Sequence, residues 1–119
     1  MSKCIPYLKK IILLSTLRNL LDTIEKMRVR KDSELLTDLQ KDAVEWARRV
    51  KESETKEELK VLSKEVSYKH VHRYSNQETY FEYWNKDTIF TEEFREYEKL
   101  DNIRNDLIDK FLWELSSVL

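Results

Sequence analysis

The chain has no glycine among its 119 residues, although average usage of about 7% would supply about eight. It also has a single proline, Pro6, so both residues that usually bend or interrupt the backbone are scarce. Phosphate-binding loops, dinucleotide-binding turns and calcium loops need glycine where the backbone turns sharply or approaches a ligand. The sequence therefore excludes these sites and predicts a helical protein that acts through side chains on its surface.

The composition is that of a folded domain with a nearly balanced charge. Charged residues make up 38% of the chain and hydrophobic residues 40%, yet the net charge is only −1. This balance argues against a uniformly basic nucleic-acid binder and against an acidic disordered tail. The length suits one domain, over residues 1–119, that buries a core without disulfides or metals.

The compartment is predicted from the single cysteine and from the apolar runs. Cys4 has no second cysteine to pair with, which fits a reducing environment. The apolar run Ile11–Leu14 is followed by Ser15, Thr16 and Arg18, and no run approaches the roughly 20 apolar residues that span a bilayer. We therefore expect a cytoplasmic protein that does not enter a membrane.

Hydrophobic periodicity and capping residues predict two helices in the first half of the chain. The first begins at Pro6, which suits a first helical turn, and ends near Arg30-Lys31. The second begins at a cap, Asp32 or Ser33, and ends at Ser53-Glu54. The first buries a stripe formed by Leu13, Leu14, Leu17, Leu20, Leu21, Ile24 and Met27. The second buries Leu36, Leu39, Ala43, Ala47 and Val50, with Trp46 at the edge of that face.

The second half of the chain predicts two further helices around an irregular segment. Thr55 and Glu58 form a capping box that begins the third helix. Between Tyr74 and Thr91 the helical period is lost, and the segment 80–84 is either a helical turn, which we favour, or a strand. Thr91 begins the last helix. The third helix buries Leu59, Leu62 and Val66, and the last buries Tyr97, Leu100, Ile103, Leu107, Ile108, Phe111, Leu115 and Val118.

The fold class that follows is all-α, a single-domain antiparallel bundle of about four helices. A long coiled-coil dimer is the alternative, but the predicted caps divide the chain into several shorter helices. The residues expected to be fully buried are Leu17, Leu20, Ile24, Leu107 and Phe111.

Charge is segregated along the chain. Residues 1–31 carry eight basic and two acidic side chains, a net charge of +6, whereas residues 76–119 carry −6. One interpretation is that oppositely charged helices pack side by side. The other is an acidic surface, formed by the last helix and the segment before it, that suits a basic partner.

Aromatic residues concentrate in the same acidic region. Nine of the thirteen lie between Tyr68 and Tyr97, and four fall within 80–84, more than one face of a helix or strand can bury. Exposed aromatics among acids are typical of protein-recognition hot spots. Trp113 points about 120° away from the apolar stripe of the last helix at 100° per residue. It is either an exposed anchor or a residue covering a neighbouring helix or a second copy.

The two histidines do not predict a metal or catalytic site. His70 and His72 lie about 200° apart on a helix, and no Glu-x-x-His motif or second cysteine is present. His70 continues the apolar face of the third helix, and His72 lies with Glu65 and Tyr68. A basic patch that could contact RNA is formed by Lys64, Tyr68, Lys69, His70, His72, Arg73 and Tyr74. It is small and its surroundings are acidic.

The sequence therefore predicts a small protein-binding module without enzymatic activity, metal or cofactor. Its most specific form is an inhibitor of the immunity or antitoxin kind that docks onto a basic, nuclease-like protein. A subunit of a helical homo-oligomer is the alternative, and an RNA-binding module comes third. Both a monomer and a homodimer fit the sequence. The predicted contact residues are Tyr80, Phe81, Glu82, Tyr83, Trp84, Asp87, Glu92, Glu93, Glu96 and Trp113.

Overall fold

The computed structural model of the chain describes residues 4–75 and 91–119, and they form an all-α four-helix bundle that is 88% helical. This confirms the predicted fold class. A π-helical turn, His70–Tyr74, extends the third helix. The helices are α1 (Tyr7–Arg30), α2 (Glu34–Glu52), α3 (Lys56–Lys69) and α4 (Glu92–Val118).

Hydroxyl side chains cap three helix starts, as the sequence predicts. Ser33 Oγ accepts a hydrogen bond from the Leu36 N–H at 3.2 Å, and Thr91 Oγ1 accepts one from the Phe94 N–H at 3.2 Å. Each cap satisfies a backbone donor that has no partner inside its helix. Of the two predicted caps of α2, the structure uses Ser33.

The capping box of α3 forms with a one-residue difference. Thr55 Oγ1 accepts from the Glu58 N–H at 3.3 Å, but the Glu58 carboxylate accepts from the N–H of Glu54 rather than from that of Thr55. Thr55 forms an isolated antiparallel β-bridge with Cys4. The residues before α1 are thereby attached to the turn between α2 and α3.

Helices α1 and α2 end without a left-handed residue. Lys31 and Ser53 adopt extended conformations, and their N–H groups donate to the carbonyls of Met27 and Arg49. No described residue has a positive φ angle. The chain therefore turns without the conformation that usually requires glycine.

Helix α1 lies between α2 and α4 and carries the centre of the core. It makes its main contacts with these two helices. Its inner stripe consists of Leu13, Leu17, Leu20, Ile24 and Met27, each at most 1% exposed. The buried parts of the predicted stripe are thus confirmed, while Leu14 and Leu21 pack at its border.

Cross-helix contacts show that neighbouring helices run antiparallel. Thr16 in the first half of α1 donates a hydrogen bond to Glu114 near the end of α4, at 2.5 Å. Arg28 near the end of α1 hydrogen-bonds Gln40 near the start of α2, and Lys69 at the end of α3 binds Asp42 of α2 at 2.9 Å. The topology is therefore up-down-up-down.

Trp46 lies in the core, so its predicted place at the edge of α2 is wrong. It is 2% exposed, with its ring stacked on Phe111 at 6.1 Å and edge-on to Tyr74 at 6.4 Å. The π-helical turn extends α3 and brings Tyr74 against α2, which encloses the indole. Ala47, predicted to be buried, is only partly so.

The buried face of α4 is rotated relative to the prediction. Leu107 is only partly buried, contrary to the expectation of full burial, and Ile103 is 47% exposed. Arg104 is buried instead, at 3% exposure, and pairs with Asp101 at 2.9 Å. Because α4 packs against both α1 and α3, its buried arc is centred between Ile108 and Phe111, and Ile103 falls outside it.

Replacing Trp46 by alanine tests its position at the centre of the core. Removing a large buried aromatic should lower the free energy of unfolding by about 3–5 kcal/mol, measured by urea denaturation. Val44 on the same helix is 56% exposed, so Val44→Ala should change it by about 0.5 kcal/mol or less. Equal effects of the two substitutions would contradict the buried position of the indole.

Candidate partner-binding surface

The structure describes Glu92, Glu93, Glu96 and Trp113 among the predicted contact residues. The remaining predicted contact residues lie outside the described part of the chain and stay predictions. They are Tyr80, Phe81, Glu82, Tyr83, Trp84 and Asp87.

Exposed carboxylates mark the start of α4. Glu92 and Glu93 occupy the first turn and are exposed, and neither forms an ion pair with a residue that the structure describes. The positive end of the helix dipole stabilises acidic side chains at this position. Glu96, one turn later, is partly buried and binds Lys99 at 3.2 Å. Two of the three predicted carboxylates are thus accessible on a capped helix start.

A groove of about 510 Å³ between α1 and α4 lies beside this start. The groove is lined mainly by apolar atoms. Two of its apolar residues are exposed, Val29 at 83% and Ile103 at 47%. Basic side chains of α1 and mixed charges of α4 form its rim. The lining residues are Lys26, Val29, Arg30, Glu96, Lys99, Leu100 and Ile103.

Trp113 is exposed but lies far from the acidic start of α4. Its exposure is 72%, so it does not cover a neighbouring helix of the same chain. Twenty residues separate it from Glu93, which at 1.5 Å per residue is about 30 Å along the helix axis. One compact contact around Glu93 therefore does not include Trp113.

An exposed apolar patch at the start of α1 was missed by the sequence analysis. Tyr7 and Leu8 are 77% and 72% exposed, and Ile11 and Ile12 are 43% and 44% exposed. The register of Thr16 opposite Glu114 explains the exposure of the first residues, because α4 ends before it can cover them. The signal was in the sequence: Leu8, Ile11 and Ile12 fall outside the stripe that begins at Leu13.

Several residues of the basic patch predicted on α3 contact carboxylates of α2 and α4, although Lys69 and Arg73 are themselves exposed. Lys69 binds Asp42 at 2.9 Å, Arg73 binds Asp38, and the His70 Nε2 contacts Asp109 at 2.8 Å. These groups attach α3 and its π-helical turn to α2 and α4. Lys64, Tyr68 and His72 remain exposed, with the Tyr68 and His72 rings 4.3 Å apart.

The phenol of Tyr74 is the main perturbed acid in this cluster. Burial raises its pKa well above the usual 10.0, and the hydrogen bond that its hydroxyl donates to Asp42 raises it further. The charge of Arg73 acts in the opposite direction. The neutral phenol is therefore the form that the folded protein holds.

The histidines have separate partners, in keeping with their predicted places. His70 is 8% exposed and contacts Asp109 of α4. The ring of His72 lies against that of Tyr68, tilted by 41°. Glu65, which was expected beside His72, binds Arg49. Within residues 4–75 and 91–119, no group of three or more His, Cys, Asp or Glu side chains is placed to hold a metal ion.

Comparison with known proteins adds no relative: no family model, curated protein or solved structure matches the chain. In the described part of the chain, none of the helices combines the length and apolar character that crossing a membrane requires.

Replacing Tyr74 by phenylalanine tests the buried phenol through its pH dependence. A group whose pKa is raised by folding stabilises the protein below its unfolded pKa, and that stability is lost as the pH rises toward the folded value. Wild-type protein should therefore lose stability above about pH 10, and Tyr74→Phe should lose less over the same range. Chemical denaturation from pH 8 to 11 measures this difference.

Tyr68 provides the matched control, because it is a tyrosine of the same segment that is 65% exposed. Tyr68→Phe should follow the wild-type pH profile. A Tyr74→Phe profile that coincides with that of wild type would contradict the buried, hydrogen-bonded phenol.

Proposed function

We propose that this protein binds another protein and acts as an inhibitor of the immunity or antitoxin kind on a basic, nuclease-like partner. The observation that supports the proposal best is the pair of accessible carboxylates at the start of α4, Glu92 and Glu93. Neither is neutralised by an ion pair with a described residue. They are therefore available to a cationic surface.

The physical argument rests on the charge of nuclease clefts, which attract phosphates with basic side chains. An exposed row of carboxylates on a helix can occupy such a cleft by presenting comparable negative charge. Complementary charge mainly accelerates encounter and selects the partner. The hydrogen bond from Phe94 N–H to Thr91 Oγ1 fixes the first turn of α4, so little ordering is needed when the carboxylates bind.

Affinity in this proposal comes from the aromatic residues that precede the helix in sequence. Buried aromatic anchors dominate the binding energy of most protein interfaces. The anchors we propose are Tyr80, Phe81, Tyr83 and Trp84, with Glu82 and Asp87 among them. The carboxylate Glu96 contributes less than Glu92 and Glu93, because Lys99 already neutralises it.

The RNA-binding alternative loses support, because several residues of its patch are committed to other helices. Three side chains of the patch contact carboxylates of other helices: Arg73 binds Asp38, Lys69 binds Asp42, and His70 contacts Asp109. Phosphate contacts by Lys69 and Arg73 would compete with the carboxylates that bind these side chains.

Capture of the partner from the native host, followed by binding kinetics, tests the proposal. Wild-type protein should recover a basic protein whose activity it inhibits. Reversing Glu92 and Glu93 to lysine should slow association about tenfold or more at low salt, because rim charges steer encounter. Trp84→Ala should instead speed dissociation and weaken binding by about 2 kcal/mol or more.

Glu54 supplies a matched control for the charge reversal. It is an exposed glutamate in the turn between α2 and α3, at the opposite end of the bundle from the start of α4. Glu54→Lys changes the net charge as much as Glu93→Lys does and should leave association unchanged. Equal slowing by both, or recovery of RNA whose binding depends on Lys69 and Arg73, would contradict the proposal.

A further inference from the structure

The outer surface shared by α1 and α4 carries four rows of side chains at seven-residue spacing, and we call it the α1–α4 face. Residues seven apart on a helix lie nearly in one line, drifting only about 20°. One residue of each row lines the groove between the two helices, at one end of the face. The rows are Leu8, Ser15, Asp22 and Val29; Ile12, Asn19 and Lys26; Lys99, Asp106 and Trp113; and Ile103, Lys110 and Ser117.

This face holds much of the exposed apolar surface of the described bundle. Val29 is 83% exposed and Trp113 and Leu8 are each 72% exposed. The apolar residues lie toward the two ends of the face, and charged side chains lie between them. Large exposed apolar residues that share one surface are typical of a site that another protein covers.

We propose that the α1–α4 face binds a second copy of this chain, in a dimer whose two-fold axis runs parallel to the helices. Rotation about such an axis places α1 of one copy over α4 of the other, and the reverse. Each intermolecular pair is then antiparallel, like α1 and α4 within one chain. This dimer is independent of the proposed partner contact, which lies at the start of α4.

Rotation about a two-fold axis parallel to the helices does not change a residue's position along that axis, which we call its height. The relative heights of α1 and α4 residues within one chain are therefore also the relative heights of α1 in one copy and α4 in the other. Thr16 lies level with Glu114. Lys26 follows Thr16 by ten residues and Asp106 precedes Glu114 by eight, so their heights differ by about 3 Å. Lys26 of one copy therefore lies opposite Asp106 of the other.

The same register brings a second pair of opposite charges together. Asp22 follows Thr16 by six residues and Lys110 precedes Glu114 by four, again a height difference of about 3 Å. Asp22, Lys26, Asp106 and Lys110 are exposed, and none forms an ion pair with a described residue of its own chain. In this register Asp22 and Asp106 also lie about 3 Å apart in height. The four charges therefore form one cluster across the interface, in which each acid lies beside a lysine of the other copy.

Apolar residues also match in height. Trp113 lies within about 3 Å of the height of Ser15 and about 7.5 Å from that of Ile12, and Val29 lies within about 3 Å of the height of Ile103. The indole of one copy therefore covers the small Ser15 side chain of the other. Trp113 at one end of the shared surface and Val29 at the other are buried, whereas Leu8 lies beyond the end of α4.

The size of the face meets the lower bound for a specific dimer. With Thr16 level with Glu114, α1 and α4 lie side by side over about 19 residues, which span roughly 28 Å, and two helices are roughly 20 Å wide. This gives roughly 560 Å² on each copy and roughly 1,100 Å² in total. A specific interface should exceed about 1,000 Å² in total.

Sedimentation of the full chain at micromolar concentrations tests the dimer. We expect a concentration-dependent species of twice the 14.5 kDa of one chain. Trp113→Ala should raise the dimer dissociation constant at least about tenfold, because a large aromatic that packs on the other copy is lost. Tyr68→Ala removes an exposed aromatic from α3, outside the face, and should leave it unchanged. A monomer at all concentrations, or equal effects of both variants, would overturn the proposal.

A charge exchange tests the register itself. Lys26→Glu and Asp106→Lys should each weaken the dimer, because each creates two like-charge contacts across the two-fold axis. The double variant restores opposite charges and should recover most of the wild-type dissociation constant. Both residues are exposed, and circular dichroism should show an unchanged fold in each variant. A double variant that dimerises no better than the weaker single one would contradict the pairing.

The two proposals fail separately in these experiments. Loss of the dimer in Trp113→Ala leaves the carboxylates of Glu92 and Glu93 intact, so partner association should persist. Charge reversal of Glu92 and Glu93 should leave the dimer dissociation constant unchanged. A single variant that abolishes both activities would show that the surfaces are not distinct.

Discussion

The packing of α1 against both α2 and α4 is the interaction on which the rest of the bundle depends. Five apolar residues of α1, from Leu13 to Met27, are at most 1% exposed, and burying each contributes about 1.5–3 kcal/mol relative to exposure. The buried hydrogen bond from Thr16 to Glu114 fixes the position of α4 along α1, because apolar contacts alone would allow one helix to shift along the other. The height of every α4 residue relative to α1 follows from it, including the acidic helix start and Trp113.

Strong periodicity and capping chemistry made the helices predictable from the sequence. Three of the four helices begin at a hydroxyl cap, and these caps, Ser33, Thr55 and Thr91, are visible as such in the sequence. The stripe of α1 was predicted because one helix face meets the core over many turns. The burial of Trp46 and Arg104 was not, because it depends on how three helices meet and on the π-helical turn that positions Tyr74. Hydrophobic periodicity predicts the buried face of a single helix, but not how several helices pack against one another.

The candidate surfaces were predicted less completely, and for a related reason. Sequence identifies which carboxylates and aromatics leave the core stripe, and Glu92, Glu93 and Trp113 are indeed exposed. It does not give their separation, which depends on α4 being one continuous helix. The α1–α4 face needed the register of two helices, since Lys26 and Asp106 are distant in the chain. At the start of α1, the sequence shows that Leu8, Ile11 and Ile12 leave the core stripe, whereas only the register shows that α4 ends before it reaches Tyr7 and Leu8.

A double-mutant cycle between Thr16 and Glu114 tests the α1–α4 register most directly. Thr16→Val should lower the free energy of unfolding by about 1–3 kcal/mol, because it leaves a buried carboxylate without its donor. Adding Glu114→Leu removes that unsatisfied group, so the double variant should be more stable than the sum of the single effects by about 1 kcal/mol or more. Effects that add to within about 0.5 kcal/mol would mean that the two side chains do not meet, and that the register on which the surface assignments rest is wrong.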